Sequence, residues 1–276
     1  MGQLYIKHFL KVFRMRLLAA VILSLSFAFH PFLASAQSLS PDDSGTFGRF
    51  DAHTRAAQTA HGFNIISGPP ALLREGQRAF LFDVRPGDCG GNDCREDRER
   101  VERVDRSGSR PRDEHWYAWS LRLADDFPFI RPTNTTLGQF KQEPQGCEVA
   151  GIGIESRGLF FYNKLCAANG EATYMIDKPF ISLAAARGRW IDFMVHSNWS
   201  ADSDGFLDFY VDGRLIASHR GRVVYNNRDE VTFRFGIYRS FVSRYTGNTG
   251  NPVPRQWAIY DNVRRGDTRG SVEIQR

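Results

Sequence analysis

Three short stretches carry side chains suited to moving a proton beside a carboxylate. Residues 231–239, VTFRFGIYR, alternate with period two. Val231, Phe233, Phe235 and Ile237 fall on one face of a half-buried strand, and Thr232, Arg234, Gly236 and Tyr238 fall on the other. Arg234 and Tyr238 stand about 13 Å apart along such a strand, and Gly236 between them is expected to leave a gap for a flat sugar ring. Residues 136–142, TLGQFKQ, put Gln139 and Lys141 on a shared face. The Gln139 amide can donate to a carboxylate, and Lys141 can neutralise one or serve as a base. Arg98, Arg100 and Glu102 alternate in a charged strand. They read as arginines that fork onto a sugar carboxylate with a glutamate behind them.

These groups match the needs of β-elimination on a uronate. Donors must face the carboxylate next to C5, because negative charge builds up there. A base must take the C5 proton, and an acid must protonate the leaving O4. One tyrosine can do both when the two protons lie on one side. Its unperturbed pKa is about 10, so Arg234 on the same face is expected to lower it.

The elements that must position these residues are short and alternating. Strands are expected at 79–84, 98–104, 116–123, 136–142, 158–163, 190–199, 206–211, 214–219, 231–239 and 256–263, with a hairpin turn at Asp212-Gly213. Helical periodicity is confined to a short candidate at 181–187. With 25 glycines, this pattern indicates an all-β fold: a β-jelly roll sandwich of two antiparallel sheets, with a concave face for an extended polymer.

The N-terminus is separable. Lys7, Lys11, Arg14 and Arg16 precede an apolar run from Leu17 to Leu33 that ends in Ala34-Ser35-Ala36. This is the layout of a secretory signal over residues 1–36, followed by an arm at 37–62 and one domain at 63–276. Removing it takes four cations and no acids, so the net charge of +5 becomes 5 − 4 = +1. No global charge argues for nucleic acid, and no membrane attachment is expected after cleavage. Arg103, Arg106, Arg110 and Arg112 form a candidate basic rim. Cys89, Cys94, Cys147 and Cys166 are an even set in an exported chain. Two disulfides are expected, with Cys89–Cys94 and Cys147–Cys166 the simplest of three pairings. No catalytic metal is implied. Asp88, Asn92 and Asp93 beside the first pair are a candidate structural calcium site.

Five stretches together resemble the heparin lyase I-like polysaccharide lyases: DCREDRERVE (93–102), DEHWYAWSLRLADDFPF (113–129), TLGQFKQ (136–142), GRWIDFMVHSNWSADSDGFLDFYVDGRLIAS (188–218) and FRFGIYRS (233–240). The resemblance covers most of the chain from about residue 63. It implies a concanavalin-like jelly roll and β-elimination on uronic-acid polysaccharides, with more distant similarity to alginate and glucuronan lyases. It implies catalysis by Tyr238, with a cation, one residue and a glycine before it. It places the family's R-x-E at Arg100 and Glu102. Where the family often has histidine this chain has Lys141, so His196, in a strong strand, is a further candidate catalytic residue. The expected protein is an exported monomer acting on an acidic polysaccharide without a cofactor. Two alternatives share the fold. A glycoside hydrolase would need two carboxylates across the scissile bond, and the E-x-D-x-x-E pattern of laminarinase-type enzymes is absent. A non-catalytic carbohydrate-binding protein would need neither acid nor base.

Overall fold

A computed structural model of the chain describes residues 59–105, 107–144 and 147–274, with the backbone of 37–39 and 50–52. The expected signal sequence and Arg106 lie outside the described residues. The strands are β1 (Gln37–Leu39), β2 (Phe50–Ala52), β3 (Phe63–Ile66), β4 (Ala79–Val84), β5 (Arg98–Asp105), β6 (His115–Leu123), β7 (Asn134–Gln142), β8 (Ala150–Glu155), β9 (Gly158–Cys166), β10 (Ala172–Ile181), β11 (Trp190–Ser197), β12 (Phe206–Val211), β13 (Arg214–Arg220), β14 (Val231–Ser240) and β15 (Gln256–Gly266). Helices are short: α1 (Asn92–Arg95), α2 (Leu183–Ala186), α3 (Val242–Thr249) and α4 (Arg269–Val272).

Two antiparallel sheets make a jelly-roll sandwich. One runs β13-β12-β11-β6-β15-β4-β3, with β1 also on β15; the other runs β10-β9-β8-β7-β14-β5-β2. Period-two alternation builds the core between them. Tyr117, Trp119 and Leu121 of β6 and Phe193 and Phe209 of β11 and β12 face Phe140, Phe161, Phe233 and Phe235 of the other sheet. Phe161 and Phe209 stack across the gap at 4.0 Å between centroids, and Trp119 meets Phe233 at 4.9 Å. Apolar area removed from water here is the main stabilising term, at about 25 cal/mol per Å². The Asp212-Gly213 turn has φ of 51° and 78°, the two left-handed residues of a tight hairpin.

The outward faces differ. On the first sheet, Ala118 and Met194 are covered by Val272 and Ile274 at the C-terminus. On the seven-stranded sheet, the outward side of β5, β14 and β7 carries charged and phenolic side chains.

Candidate active site

Strands β5, β14 and β7 lie side by side, and their register assembles the site. Tyr238 pairs with Arg100 on one side and Thr136 on the other. Arg234 pairs with Gln139, and Thr232 with Lys141. Arg98, Arg100, Glu102, Gln139, Lys141, Arg234 and Tyr238 therefore share one face of one sheet.

A buried polar chain runs beneath this face. Arg100 donates to Asp93 through Nε at 2.8 Å and Nη2 at 2.5 Å, and to Glu102 through Nη1 at 3.2 Å. Gln139 Nε2 donates to the other Glu102 oxygen at 2.6 Å. Glu102 is fully buried, so its charge depends on both partners. The expectation that Arg100 forks onto a sugar is corrected here, because its fork is already closed on Asp93. What Arg100 presents is a guanidinium stacked on the Tyr238 ring, 4.2 Å from the centroid.

Gly236 also has a different task from the one expected. It pairs with Glu102, and Glu102 of β5 reaches Gln139 of β7 across β14 at this position. The Cβ that Gly236 lacks would turn toward the β5 backbone and the core, not toward the outward face. Gly236 has φ of 126° and lies in a register shift between β14 and β7. A Cβ there would sit 2.3 Å from the Val101 carbonyl oxygen and 2.8 Å from Phe82. The Tyr260 hydroxyl rises through the core to the irregularity, sharing its hydrogen between the Leu137 and Gly236 carbonyls at 2.6 and 2.7 Å.

Burial pushes the half-buried Tyr238 phenol up to about 12. Arg100 and Arg98 pull the other way without offsetting it, and Glu148 and Glu102 add to the rise. Tyr238 therefore carries its proton at neutral pH. The expected lowering by Arg234 is not found, because Arg234 is bound to Glu143 instead. Lys141 Nζ reaches the same carboxylate at 3.3 Å. Burial works against the charged form of Glu143, yet Lys141 and Arg234 outweigh it and hold the carboxyl below its ordinary value. Arg98 pairs with Glu96 at the edge of the face.

Three neighbours gave no sequence signal. Tyr162 of β9 donates to Glu148 at 3.1 Å, and Lys164 Nζ sits 2.8 Å from the same carboxylate. The Tyr162 ring lies over Gly151 of β8, where a Cβ would come 2.6 Å from its hydroxyl. Phe160 covers Gly153 in the same way. Glycines on β8 thus let the aromatic side chains of β9 lean toward β7. Burial, then the Glu148 charge, pushes the Tyr162 phenol well above its ordinary value.

Other candidates lie elsewhere. His196 is on β11 of the opposite sheet, stacked on Trp116 at 3.8 Å and 2.7 Å from Glu114. It does not face Tyr238 and is withdrawn as a catalytic candidate. Each candidate calcium ligand already has a protein partner. Asp88 is bound to His61 and the Arg85 amide, Asp93 to Arg100, and Asn92 accepts from Arg95. The basic rim is largely absorbed: Arg103 lies over Phe63 at 4.5 Å, Arg110 faces Glu230 at 3.8 Å, and Arg112 pairs with Asp202. Both disulfides form as paired above, Cys89–Cys94 and Cys147–Cys166. The first closes the loop bearing Asp93; the second brackets the connection bearing Glu148.

A family model described as polysaccharide lyase matches residues 50–264. No curated protein matches the sequence. Among solved structures, the chain is similar to the endo-β-1,4-glucuronan lyase of the fungus Trichoderma reesei, with TM-score 0.64 and 17% identity over 82% of this chain and 94% of that one. It is also similar to the catalytic domain of a glycoside hydrolase family 131 protein from Coprinopsis cinerea, with TM-score 0.54 and 14% identity over 83% and 88%. An alginate lyase of polysaccharide lyase family 7 gives TM-score 0.52 and 10% identity over 75% and 83%. At these identities the likeness is one of fold.

Proposed function

The chain belongs to the polysaccharide lyase family, and on that premise we propose that it cleaves a uronic-acid-containing polysaccharide by β-elimination on the outward face of β5, β14 and β7. The observation that carries this reading is the phenol of Tyr238, still protonated, on the same face as an amide and four cations. In the proposed reaction the uronate carboxylate accepts from Gln139 and Arg234, which face the charge that builds up there. Lys141, once it has passed its own proton to solvent, takes the C5 proton. The electron pair becomes the C4–C5 double bond, the C4–O4 bond breaks, and the Tyr238 hydroxyl protonates O4. Arg100 acts through Tyr238 and Glu102 acts through Gln139; both are positioning residues. The glucuronan lyase likeness makes a 1,4-linked glucuronate polymer the first substrate to test. The signal-like leader and the two disulfides support export.

The test is a panel of glucuronan, alginate, pectate and heparin, followed by the ultraviolet absorbance of the unsaturated product. Absorbance should rise with at least one uronan. Tyr238→Phe should lower that rate about 100-fold or more, the size of a lost general acid. Full activity in Tyr238→Phe would remove Tyr238 from the chemistry. New reducing ends without absorbance would mean hydrolysis.

A further inference from the structure

Each cation on this face already has a carboxylate, but these pairs differ in exposure; Arg98 and its partner Glu96 are both open to solvent at 38% and 45%. Glu102 is 0% exposed, and the side chains of Asp93 and Glu148 are 9% and 21% exposed. Glu143 is 47% exposed, although the Arg234 side chain that it binds is only 4% exposed. A buried guanidinium is costly to leave without an anion beside it. An anion that takes over from Glu143 can therefore bind there with little net change in buried charge, whereas a neutral sugar cannot. Glu143 is the exposed member of the pair, so its side chain is the one that can swing out to solvent. Just before it, Gln142 is fixed by donating to the Asn226 and Asp229 carbonyls at 2.8 and 2.6 Å and accepting from the Tyr225 amide at 2.8 Å. Just after it, the connection is tied by Cys147–Cys166.

We propose that Glu143 is a specificity-determining residue, an internal carboxylate that occupies Arg234 and Lys141 until a sugar carboxylate displaces it. This rests on the function proposed above. The exchange selects for acidic sugars and sets their affinity, because every substrate must compete with a tethered anion. It also ties binding to chemistry, since Lys141 is released from Glu143 only when the uronate has arrived.

Binding is the direct test, read by calorimetry in Tyr238→Phe protein so that turnover does not interfere. The ligands are a glucuronate oligosaccharide and a neutral gluco-oligosaccharide of the same linkage. Adding Glu143→Gln should tighten the acidic ligand about threefold to fivefold, the range of a partly exposed ion pair, with no such gain for the neutral one. Glu143→Ala should act in the same direction, and thermal melting of each variant checks folding. An unchanged or weaker affinity for the acidic ligand, or an equal gain for both ligands, overturns the role of Glu143. If wild-type protein still forms unsaturated product from a uronan, the proposed reaction survives that result. If neither form binds any uronate and wild type makes no unsaturated product, both fall.

Discussion

The phenol of Tyr238 and the carboxylate of Glu102 illustrate how differently two residues of one face are held. Tyr238 is half-buried and keeps its proton up to about 12, so an acid role is not lost at any pH near neutrality. We expect the tyrosinate signal of Tyr238, read as the difference between wild type and Tyr238→Phe in an ultraviolet titration, to appear only well above pH 10. Arg100→Gln should move it higher still, because Arg100 is the main cation opposing the shift. A signal below pH 10 would contradict the proton-donor assignment. Glu102, with no exposure, is expected to be costly to remove. Glu102→Ala should cost about 1 to 3 kcal/mol in urea unfolding, since it leaves the buried Gln139 amide and one Arg100 N–H without their acceptor, and should lower kcat by freeing the Gln139 amide to turn. At this scale the sequence was legible where alternation puts a side chain on a strand face, as with Gln139, Lys141 and Tyr238. It was not legible for Glu143 and Glu148, which sit in an irregular connection with no period to read. Nor did it show that Arg100 would be claimed by Asp93, because that contact depends on how α1 folds back.

The strands themselves depend on glycine in two opposite ways. On β14, Gly236 accepts a backbone angle and a proximity that no other residue tolerates. Gly236→Ala should destabilise the fold by about 2 kcal/mol or more, the scale of a strained backbone position, and should abolish activity in whatever protein remains folded. Tyr260→Phe should cost about 1 to 2 kcal/mol in the same unfolding assay, for loss of a buried hydrogen bond to two carbonyls. On β8, Gly151 and Gly153 make room for Tyr162 and Phe160. Those glycines also explain why β8 was not read as a strand: AGIGIE has low strand propensity, and its partners in β9 supply the packing. Strand β10 was missed for another reason. It is a sheet edge, exposed at five of its ten positions and carrying Pro179, so it shows little hydrophobic alternation. The strands bearing large inward side chains, β6, β11, β12 and β14, were plain in the sequence because a one-residue slip would expose all of their aromatic residues.

Across the molecule, the sandwich was legible because aromatic residues recur at inward positions of both sheets. Buried phenols give the fold a distinct alkaline limit. Tyr117 is pushed from 10.0 to about 12 by burial, so the folded state holds this proton more tightly than the unfolded chain. That contribution, on the order of 3 kcal/mol, is present in full below pH 10 and lost as the pH rises toward 12. Tyr260 shifts in the same direction. Unfolding free energy measured against pH should therefore begin to fall near pH 10, and Tyr117→Phe should flatten that fall. Finally, the Cys147–Cys166 bond has a consequence for how the protein is made. A recombinant host that folds it in a reducing cytosol would leave the connection after β7 untethered. Such batches should differ from periplasmic preparations in their apparent KM for acidic polymer, while their far-ultraviolet circular dichroism stays alike.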